Sequence, residues 1–112
     1  LIGVVLIEKE EKLGGECLHS GCVPSKALIH AAHTFNGDAK KAWAHVRASI
    51  DAIEHRSDNV AHVKKSGIEV LQGEVTFLKK RTLQVGTETL RARSIIVATG
   101  SSPSIPPIPG LA

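Results

Sequence analysis

The chain opens with Leu1-Ile2-Gly3-Val4-Val5-Leu6-Ile7, an apolar run that ends at Glu8. An uninterrupted apolar run of this length is typical of a strand buried on both faces, as in parallel sheets. Parallel strands are joined by long crossovers, which usually contain a helix. We therefore expect an α/β fold organised around residues 1–7.

Two helices are expected after this strand. The first begins near Pro24, because proline is tolerated in a first helical turn, and apolar residues follow it at helical spacing. Residues 36–38, Asn-Gly-Asp, break the helix. The second helix is expected from about residue 39 to residue 65, with an apolar stripe formed by Trp43, Val46, Ile50, Ile53 and Val60. The short break predicts an antiparallel helix pair.

The remaining residues predict short strands and a linker. Residues 68–78 are expected as strand with an interruption at Gln72-Gly73, and residues 82–85 and 89–91 as a hairpin around Gly86. Residues 95–98, Ile-Ile-Val-Ala, predict one more fully apolar strand. The prolines at 103, 106, 107 and 109 exclude a helix or a central strand from the end of the chain.

Composition excludes several classes of protein. The chain has 112 residues with 42% hydrophobic and 22% charged residues, which suits one globular domain at most. Its longest apolar run is far short of the ~20 residues of a membrane span, so no membrane partner is expected. The net charge is +3, but the basic residues are scattered without interleaved aromatics, so no nucleic acid partner is expected.

The two cysteines, Cys17 and Cys22, are five positions apart. In a regular helix this step rises ~7.5 Å, whereas a disulfide needs Cα atoms within ~7 Å. A bridge therefore requires a distorted turn, which Gly21 permits, or a position ahead of the regular helix. A helix N-terminus and Lys26 would favour a thiolate here, as in redox disulfides. An inert bridge, two buried thiols or a zinc site with His19 remain alternatives, although the spacing matches no common zinc pattern.

The segment around the cysteines is Leu13-Gly14-Gly15-Glu16-Cys17-Leu18-His19-Ser20-Gly21-Cys22-Val23-Pro24-Ser25-Lys26. It closely resembles the redox-active site of the class I pyridine nucleotide-disulfide oxidoreductases, which include dihydrolipoamide dehydrogenase, glutathione reductase and mercuric reductase. The family pattern is Gly-Gly-x-Cys, four residues, then Cys-x-Pro-Ser-Lys. Val5-Leu6-Ile7-Glu8 resembles the second strand of the FAD-binding Rossmann unit, and residues 95–103 resemble a later strand with the family's Ala-Thr-Gly motif.

This resemblance covers essentially the whole chain and implies its architecture. Residues 1–102 would form a partial Rossmann-like FAD-binding domain with a parallel sheet, an antiparallel helix pair and a small β-meander. Residues 103–112 would be a Pro-rich linker toward an NAD(P)-binding domain. The family's first strand and glycine-rich turn would precede residue 1, and its dimer-interface domain would follow residue 112.

The resemblance also implies a chemistry, in which a parent enzyme passes electrons between NAD(P)H, FAD and a Cys17–Cys22 disulfide. Cys22 would be the thiolate facing the flavin, Cys17 the thiol that exchanges with a disulfide or dithiol substrate, and Lys26 a cation beside the flavin. The residues implied in FAD binding are Glu8, Gly14, Gly15, Lys26, Ala98, Thr99 and Gly100. Glu8 and Lys26 could instead be surface charges, and Gly14, Gly15 and Gly100 ordinary turn glycines.

Within the family, a dihydrolipoamide dehydrogenase-like activity is our first expectation, and a mercuric or other metal-ion reductase the second. A catalytically inert interaction module that binds no flavin is the alternative from another class. The parent is expected to be a cytoplasmic homodimer that serves cell redox homeostasis. The isolated chain is expected to be inactive, to bind FAD weakly or not at all, and to self-associate through unpaired strand edges. No bound metal is expected.

Overall fold

The computed structural model describes residues 3–102 and 104–111. Its elements, in chain order, are β1 (Val4–Glu8), α1 (Gly15–His19), α2 (Cys22–Thr34), α3 (Ala39–Arg56), α4 (Val60–Lys65), β2 (Ile68–Gln72), β3 (Val75–Lys79), β4 (Thr82–Val85) and β5 (Glu88–Arg91). Strands β1 and β2 form a parallel pair, and β3, β4 and β5 form an antiparallel meander. The predicted α/β class, with a parallel sheet, a helix pair and a meander, is confirmed.

The parallel pair encloses all four helices in its crossover. Its register runs from Val4 opposite Ile68 to Glu8 opposite Gln72. The N–H of Gly73 donates to the Glu8 carbonyl over 2.9 Å, which extends the contact beyond the last pair. The expectation that the first strand is buried on both faces is wrong for its described part, because Val4 is 51% exposed. Among the described elements, β2 is the one that packs extensively against β1. Leu1 and Ile2 lie outside the described residues.

The helix pair forms as expected, with two differences at its start. Helix α2 begins at Cys22 instead of Pro24, so the proline occupies the third position of the first turn, where its missing N–H costs nothing. A separate short helix, α1, precedes it and was not predicted. Between α2 and α3 the chain turns at residues 36–38 as expected, and the Asp38 carboxylate accepts the Lys41 N–H over 3.1 Å.

The predicted second helix is broken at residues 57–59, so α3 and α4 are separate elements. Asn59 causes the break because its side chain serves both helices. Its Oδ1 accepts the His62 N–H at the start of α4, and its Nδ2 donates to the carbonyls of Glu54 and His55 at the end of α3, each over 2.9 Å. A side chain that satisfies both helix ends favours a break over a continuous helix.

Replacing Asn59 with alanine should therefore lower the free energy of unfolding by about 1–2 kcal/mol, the usual cost of losing an N-cap. Asn59→Asp is the matched control, since it keeps the acceptor for His62 but loses both donors, and it should fall between the alanine variant and the wild type. Urea unfolding followed by circular dichroism measures the order. An alanine variant as stable as the wild type would contradict this account of the break.

The meander holds a small core of its own, formed by Thr82, Leu83 and Val85 of β4. Residues 68–78 divide at Gly73 into β2 and β3, which belong to different sheets. The hairpin forms as expected, with β5 beginning one residue early, at Glu88.

The strand expected at residues 95–98 is absent, and this prediction is wrong for the structure. Ile96 is 91% exposed and no described strand bonds to the segment. Apolar composition alone cannot make a strand, because a strand needs a neighbour to accept and donate its backbone hydrogen bonds. The described residues from 101 to 111 contain no helix or strand, as the prolines predict. Pro103 and Ala112 are outside the described residues.

The main core lies among the helices. It consists of Leu13, Leu18, Ala27, Ala31 and Val46. Trp43, which was expected in the apolar stripe of the second helix, is instead 56% exposed, whereas Val46 on the same helix is 1% exposed. Ala27 and Ala31 of α2 are buried together with Val46 of α3, and Trp43 lies outside this contact. In the part of the chain that the structure describes, no helix is long and apolar enough to cross a membrane.

Candidate redox site

Cys22 is the first residue of the thirteen-residue helix α2. The unpaired N–H groups of a helix start carry partial positive charge, and Cys22 lies among them. No acidic residue lies in the first turn of α2 to oppose this effect. Cys22 is exposed and therefore open to reagents. The predicted position of Cys22 at a helix start is confirmed.

Cys17 lies on the preceding helix α1, and the turn between the helices brings the two cysteines together. The carbonyl of Glu16 accepts the N–H groups of Ser20 over 3.0 Å and of Gly21 over 2.6 Å. A Cβ atom at Gly21 would lie 2.9 Å from that carbonyl oxygen, closer than real Cβ contacts, so only glycine fits. The two cysteines thus lie on either side of a break between helices, where the spacing of a regular helix does not hold them apart.

The two thiols are unbridged and exposed, and they are close enough for the Cys22 side chain to influence the pKa of Cys17. The hydrogen bond to the Cys22 side chain raises the pKa of the Cys17 thiol above its ordinary value, and loss of water and the charge of a Cys22 thiolate act in the same direction. The Cys22 backbone N–H and the Lys26 ammonium lower the pKa of Cys17 but do not outweigh these effects. The thiols therefore titrate as a linked pair.

This linkage is testable by following thiolate absorbance in the ultraviolet while the reduced protein is titrated. The wild type should show a second ionisation step above the ordinary cysteine range, because it places a second charge beside the first. In Cys22→Ala, where only Cys17 ionises, the single step should fall below that second step. If the wild type and Cys22→Ala both showed an ionisation step at the same pH above the ordinary cysteine range, Cys22 would not be the cause of the raised pKa of Cys17.

The cysteines open onto a cleft of about 470 Å³ between α2 and α3. It is lined by Cys17, Cys22, Val23, Lys26, Ala27, Ser49 and Ile53. Lys26 follows Cys22 by about one helical turn and is exposed, so its ammonium shares the cleft with both sulfur atoms. The cleft therefore combines two exchangeable thiols, one cation and an apolar wall.

Two cleft residues, Ser49 and Ile53, were not predicted as part of the site. They belong to α3 and are four residues apart, so they lie on one face of that helix. Ile53 was recognised only as part of the apolar stripe that packs the helix pair. The i, i+4 relation to Ile53 was the available signal for Ser49, but the sequence could not show that this face meets the cysteines.

The other predicted site residues lie away from the cleft lining. Glu8 ends β1, half-buried, and its Oε1 accepts the Glu10 N–H over 3.0 Å. Gly14 and Gly15 lead into α1 with φ values of 105° and 56°. Residues 98–100 lie in the exposed segment after β5. The structure thus brings Cys17, Cys22 and Lys26 together, and leaves Glu8 and residues 98–100 at separate places.

The histidines do not form a metal site with the cysteines. Within the described residues, no three side chains of His, Cys, Asp or Glu converge as metal ligands. His30, His33, His55 and His62 are exposed on helix surfaces. His45 is half-buried, with its ring 5.2 Å from that of His30 and 5.7 Å from that of Phe35.

Comparison with known proteins agrees with this arrangement. Residues 2–112 match the family described as pyridine nucleotide-disulphide oxidoreductase. The chain belongs to this family. It is 33% identical to dihydrolipoyl dehydrogenase of Acholeplasma laidlawii, 30% to glutathione reductase of Nostoc sp. and 35% to mercuric reductase of Acidithiobacillus ferrooxidans. Each match covers 96% of this chain but only 36%, 26% and 24% of the relative.

A solved structure shows the same relation. The Cu(II) complex of the HOCl-induced flavoprotein disulfide reductase RclA from Escherichia coli aligns with a TM-score of 0.78 and 28% identity, over 96% of this chain and 24% of that one. This pyridine nucleotide-disulphide oxidoreductase chain therefore spans about a quarter to a third of the proteins it matches. FAD and NAD(P)H are the cofactors of the family.

Proposed function

We propose that this chain is the segment of an FAD-dependent NAD(P)H:disulfide oxidoreductase that carries its redox disulfide, with an activity like that of dihydrolipoamide dehydrogenase. The observation that carries the proposal is that Cys17 and Cys22, on either side of the break between α1 and α2, line one open cleft together with Lys26. An inert bridge needs neither the cleft nor the cation. A pair that cycles uses both, since substrates must enter and thiolates must form.

The thiols can perform a balanced exchange with a disulfide substrate. The Cys17 thiolate attacks one substrate sulfur, forms a mixed disulfide and releases the other substrate sulfur as a thiolate, which takes up a proton. The Cys22 thiolate then attacks the Cys17 sulfur and releases the second substrate thiol. The substrate gains two electrons and two protons, and the protein gains a Cys17–Cys22 disulfide. Oxidation of a dithiol substrate is the same sequence in reverse.

Lys26 assists this exchange by its fixed charge. Its ammonium acts on the Cys17 thiolate in the direction that lowers the pKa of Cys17. A cation held beside a developing thiolate stabilises it without having to be reoriented at each turnover. The N-terminus of α2 adds its own partial positive charge at Cys22. Both effects favour the anionic sulfur that attacks.

The residues present fit FAD as the electron partner of this disulfide. The Glu8 carboxylate has acceptor capacity beyond its one bond to Glu10, which suits a ribose hydroxyl. No atom lies within 4 Å of the Cβ position at Gly15 or Gly100, so the backbone is open to close approach there. Lys26 and Cys22 would face the flavin, and Gly14, Ala98 and Thr99 complete the proposed contacts. When bound, FAD supplies a two-electron carrier between nicotinamide and the disulfide.

A second candidate function is reduction of a metal ion. Mercuric reductase is among the relatives, and the aligned RclA structure is a Cu(II) complex. Two adjacent thiols suit soft metal ions, which prefer sulfur ligands. In this version the cysteines would bind the metal ion as substrate instead of exchanging with an organic disulfide.

The proposal extends to the parent protein. Residues 1–102 would be part of the FAD-binding domain and residues 103–112 a linker toward an NAD(P)-binding domain. The parent would act as a homodimer on a disulfide or dithiol. A pair that must return to the dithiol suits a compartment that keeps thiols reduced, and we place it in the cytoplasm.

Incubation of the reduced chain with oxidised lipoamide, and separately with glutathione disulfide, tests the proposal. Mass spectrometry should show the chain losing two hydrogen atoms without a net adduct, and a dithiol reagent should restore them. Failure to form the internal disulfide with either oxidant would reject the function. Exchange blocked by stoichiometric Hg²⁺ binding, without any reaction toward organic disulfides, would favour the metal-ion candidate.

A further inference from the structure

The five-residue helix α1 has little local support for holding Cys17 in place. Its N-cap is Gly14, which has no side chain to accept the first N–H groups of the helix. So short a helix is not stable by itself, because each end leaves unpaired backbone groups. Burial of Leu18, which is 1% exposed, anchors one face of α1. A second constraint is needed to fix the helix against rotation.

His19 provides a hydrogen bond across this element. Its Nε2 lies 2.8 Å from the carbonyl oxygen of Leu13, six residues earlier, and the ring is half-buried. A carbonyl only accepts, so Nε2 carries the hydrogen and donates it. The bond ties the last residue of α1 to the residue before Gly14. Because Nε2–H is present in this neutral tautomer and in the imidazolium, protonation of the ring leaves the donor in place.

The segment Lys12-Leu13, which accepts the His19 hydrogen bond at Leu13, is itself held to α3. The ammonium of Lys12 lies 3.0 Å from both carboxylate oxygens of Glu54, whose side chain is mostly buried. Leu13 follows Lys12 and is 7% exposed. The charge of His19 also contributes to lowering the pKa of Glu54, after the larger effect of Lys12, so the imidazole lies within electrostatic range of this anchor. Helix α1 is thus held to α3 through His19, Leu13 and Lys12.

We propose that His19 is a positioning residue for the redox pair, which holds α1 so that the Cys17 sulfur stays within bonding reach of Cys22. This inference rests on the proposed function of the pair. His19 is two positions from Cys17 on α1, so the two side chains point in different directions, and His19 is not among the residues that line the cleft. It acts by limiting the motion of the helix that carries Cys17. The less α1 moves, the higher is the effective concentration of the Cys17 thiol at the Cys22 thiol.

The consequence is a shift in the equilibrium between dithiol and disulfide. In glutathione buffer, the two thiols and one glutathione disulfide give the Cys17–Cys22 disulfide and two glutathione thiols. His19→Phe keeps a ring of similar size but removes the donor, so the equilibrium constant should fall by about three- to tenfold, the factor that one ordinary hydrogen bond represents. His19→Gln restores an N–H donor and should recover part of the loss.

Asp38→Ala is the matched control, because it removes the cap at the start of α3, far along that helix from Glu54, without touching the Leu13–His19 bond. It should lower the melting temperature but leave the equilibrium constant unchanged. An unchanged constant in folded His19→Phe would overturn the positioning role, as would an equal fall in Asp38→Ala. If the wild-type pair never equilibrates with glutathione, the proposed function itself fails, which is a separate result.

A measurement on the wild type covers the case in which His19→Phe does not fold. Nitrogen chemical shifts of the imidazole in the reduced chain should show the hydrogen on Nε2 at neutral and alkaline pH. A ring that carries its hydrogen on Nδ1 alone would overturn the proposal, since it could not donate to Leu13.

Discussion

Cys22→Ser should stop the exchange reaction at the mixed disulfide between Cys17 and the substrate. When this reduced variant meets excess glutathione disulfide, the Cys17 thiolate can attack and release one glutathione, but no Cys22 thiolate is present to resolve the mixed disulfide. We expect nearly complete accumulation of a Cys17 adduct, where the wild type retains almost none. Intact-mass analysis after acid quenching measures the difference, and peptide mapping locates the adduct.

Two controls separate the parts of this prediction. The double variant Cys17→Ser/Cys22→Ser should form no adduct. Cys17→Ser leaves Cys22 as the one thiol, and a Cys22 adduct should likewise accumulate, because Cys22 is exposed and has no partner thiol in this variant. A wild type that accumulates as much adduct as Cys22→Ser would show that the two cysteines do not resolve each other.

Gly14→Ala is the substitution expected to cost the most stability. Gly14 has φ = 105°, a left-handed conformation that disfavours any side chain, and a Cβ atom would lie 2.8 Å from the Leu18 Cβ atom and closer still to Leu18 Cδ2. Leu18 is 1% exposed and has no room to withdraw. Backbone strain and overpacking together should lower the free energy of unfolding by about 2–5 kcal/mol.

The neighbouring glycine is a close control. Gly15 also has a positive φ, 56°, but nothing lies within 4 Å of its Cβ position. Gly15→Ala should therefore show only the conformational cost of about 1–2 kcal/mol. Urea unfolding of both variants measures the difference. Equal losses would mean that the contact with Leu18 does not matter and that the left-handed backbone alone requires glycine.

Much of the local structure could be predicted because its causes are local. The turn at residues 36–38 and the hairpin around Gly86 depend on residues that favour turns, and both form where expected. The break at Asn59 was missed because it depends on hydrogen bonds to two carbonyls of the preceding helix, in addition to an ordinary cap. The apolar pattern of a helix face carries no information about such bonds.

The site was predictable in its chemistry but not in its surroundings. Cys17, Cys22 and Lys26 follow from a short motif with set spacing, and the structure places all three at one cleft. The position of Ser49 in the cleft depends on how α2 and α3 pack. The hydrogen bond of His19 to Leu13 and the ion pair of Lys12 with Glu54 depend on packing in the same way. Contacts between residues that are distant in sequence leave no regular spacing to detect.

The sequence by itself determined the α/β class and the family, and it located the two cysteines that we propose as the redox pair, because apolar runs, turn residues and the cysteine motif act over a few neighbouring positions. Tertiary structure alone decided which apolar runs are strands. Residues 4–8 became a strand because β2 supplies backbone partners, whereas the equally apolar residues 95–98 have no described partner and stay irregular. A strand exists only where a second chain segment completes its hydrogen bonds, and no pattern within one segment can show that.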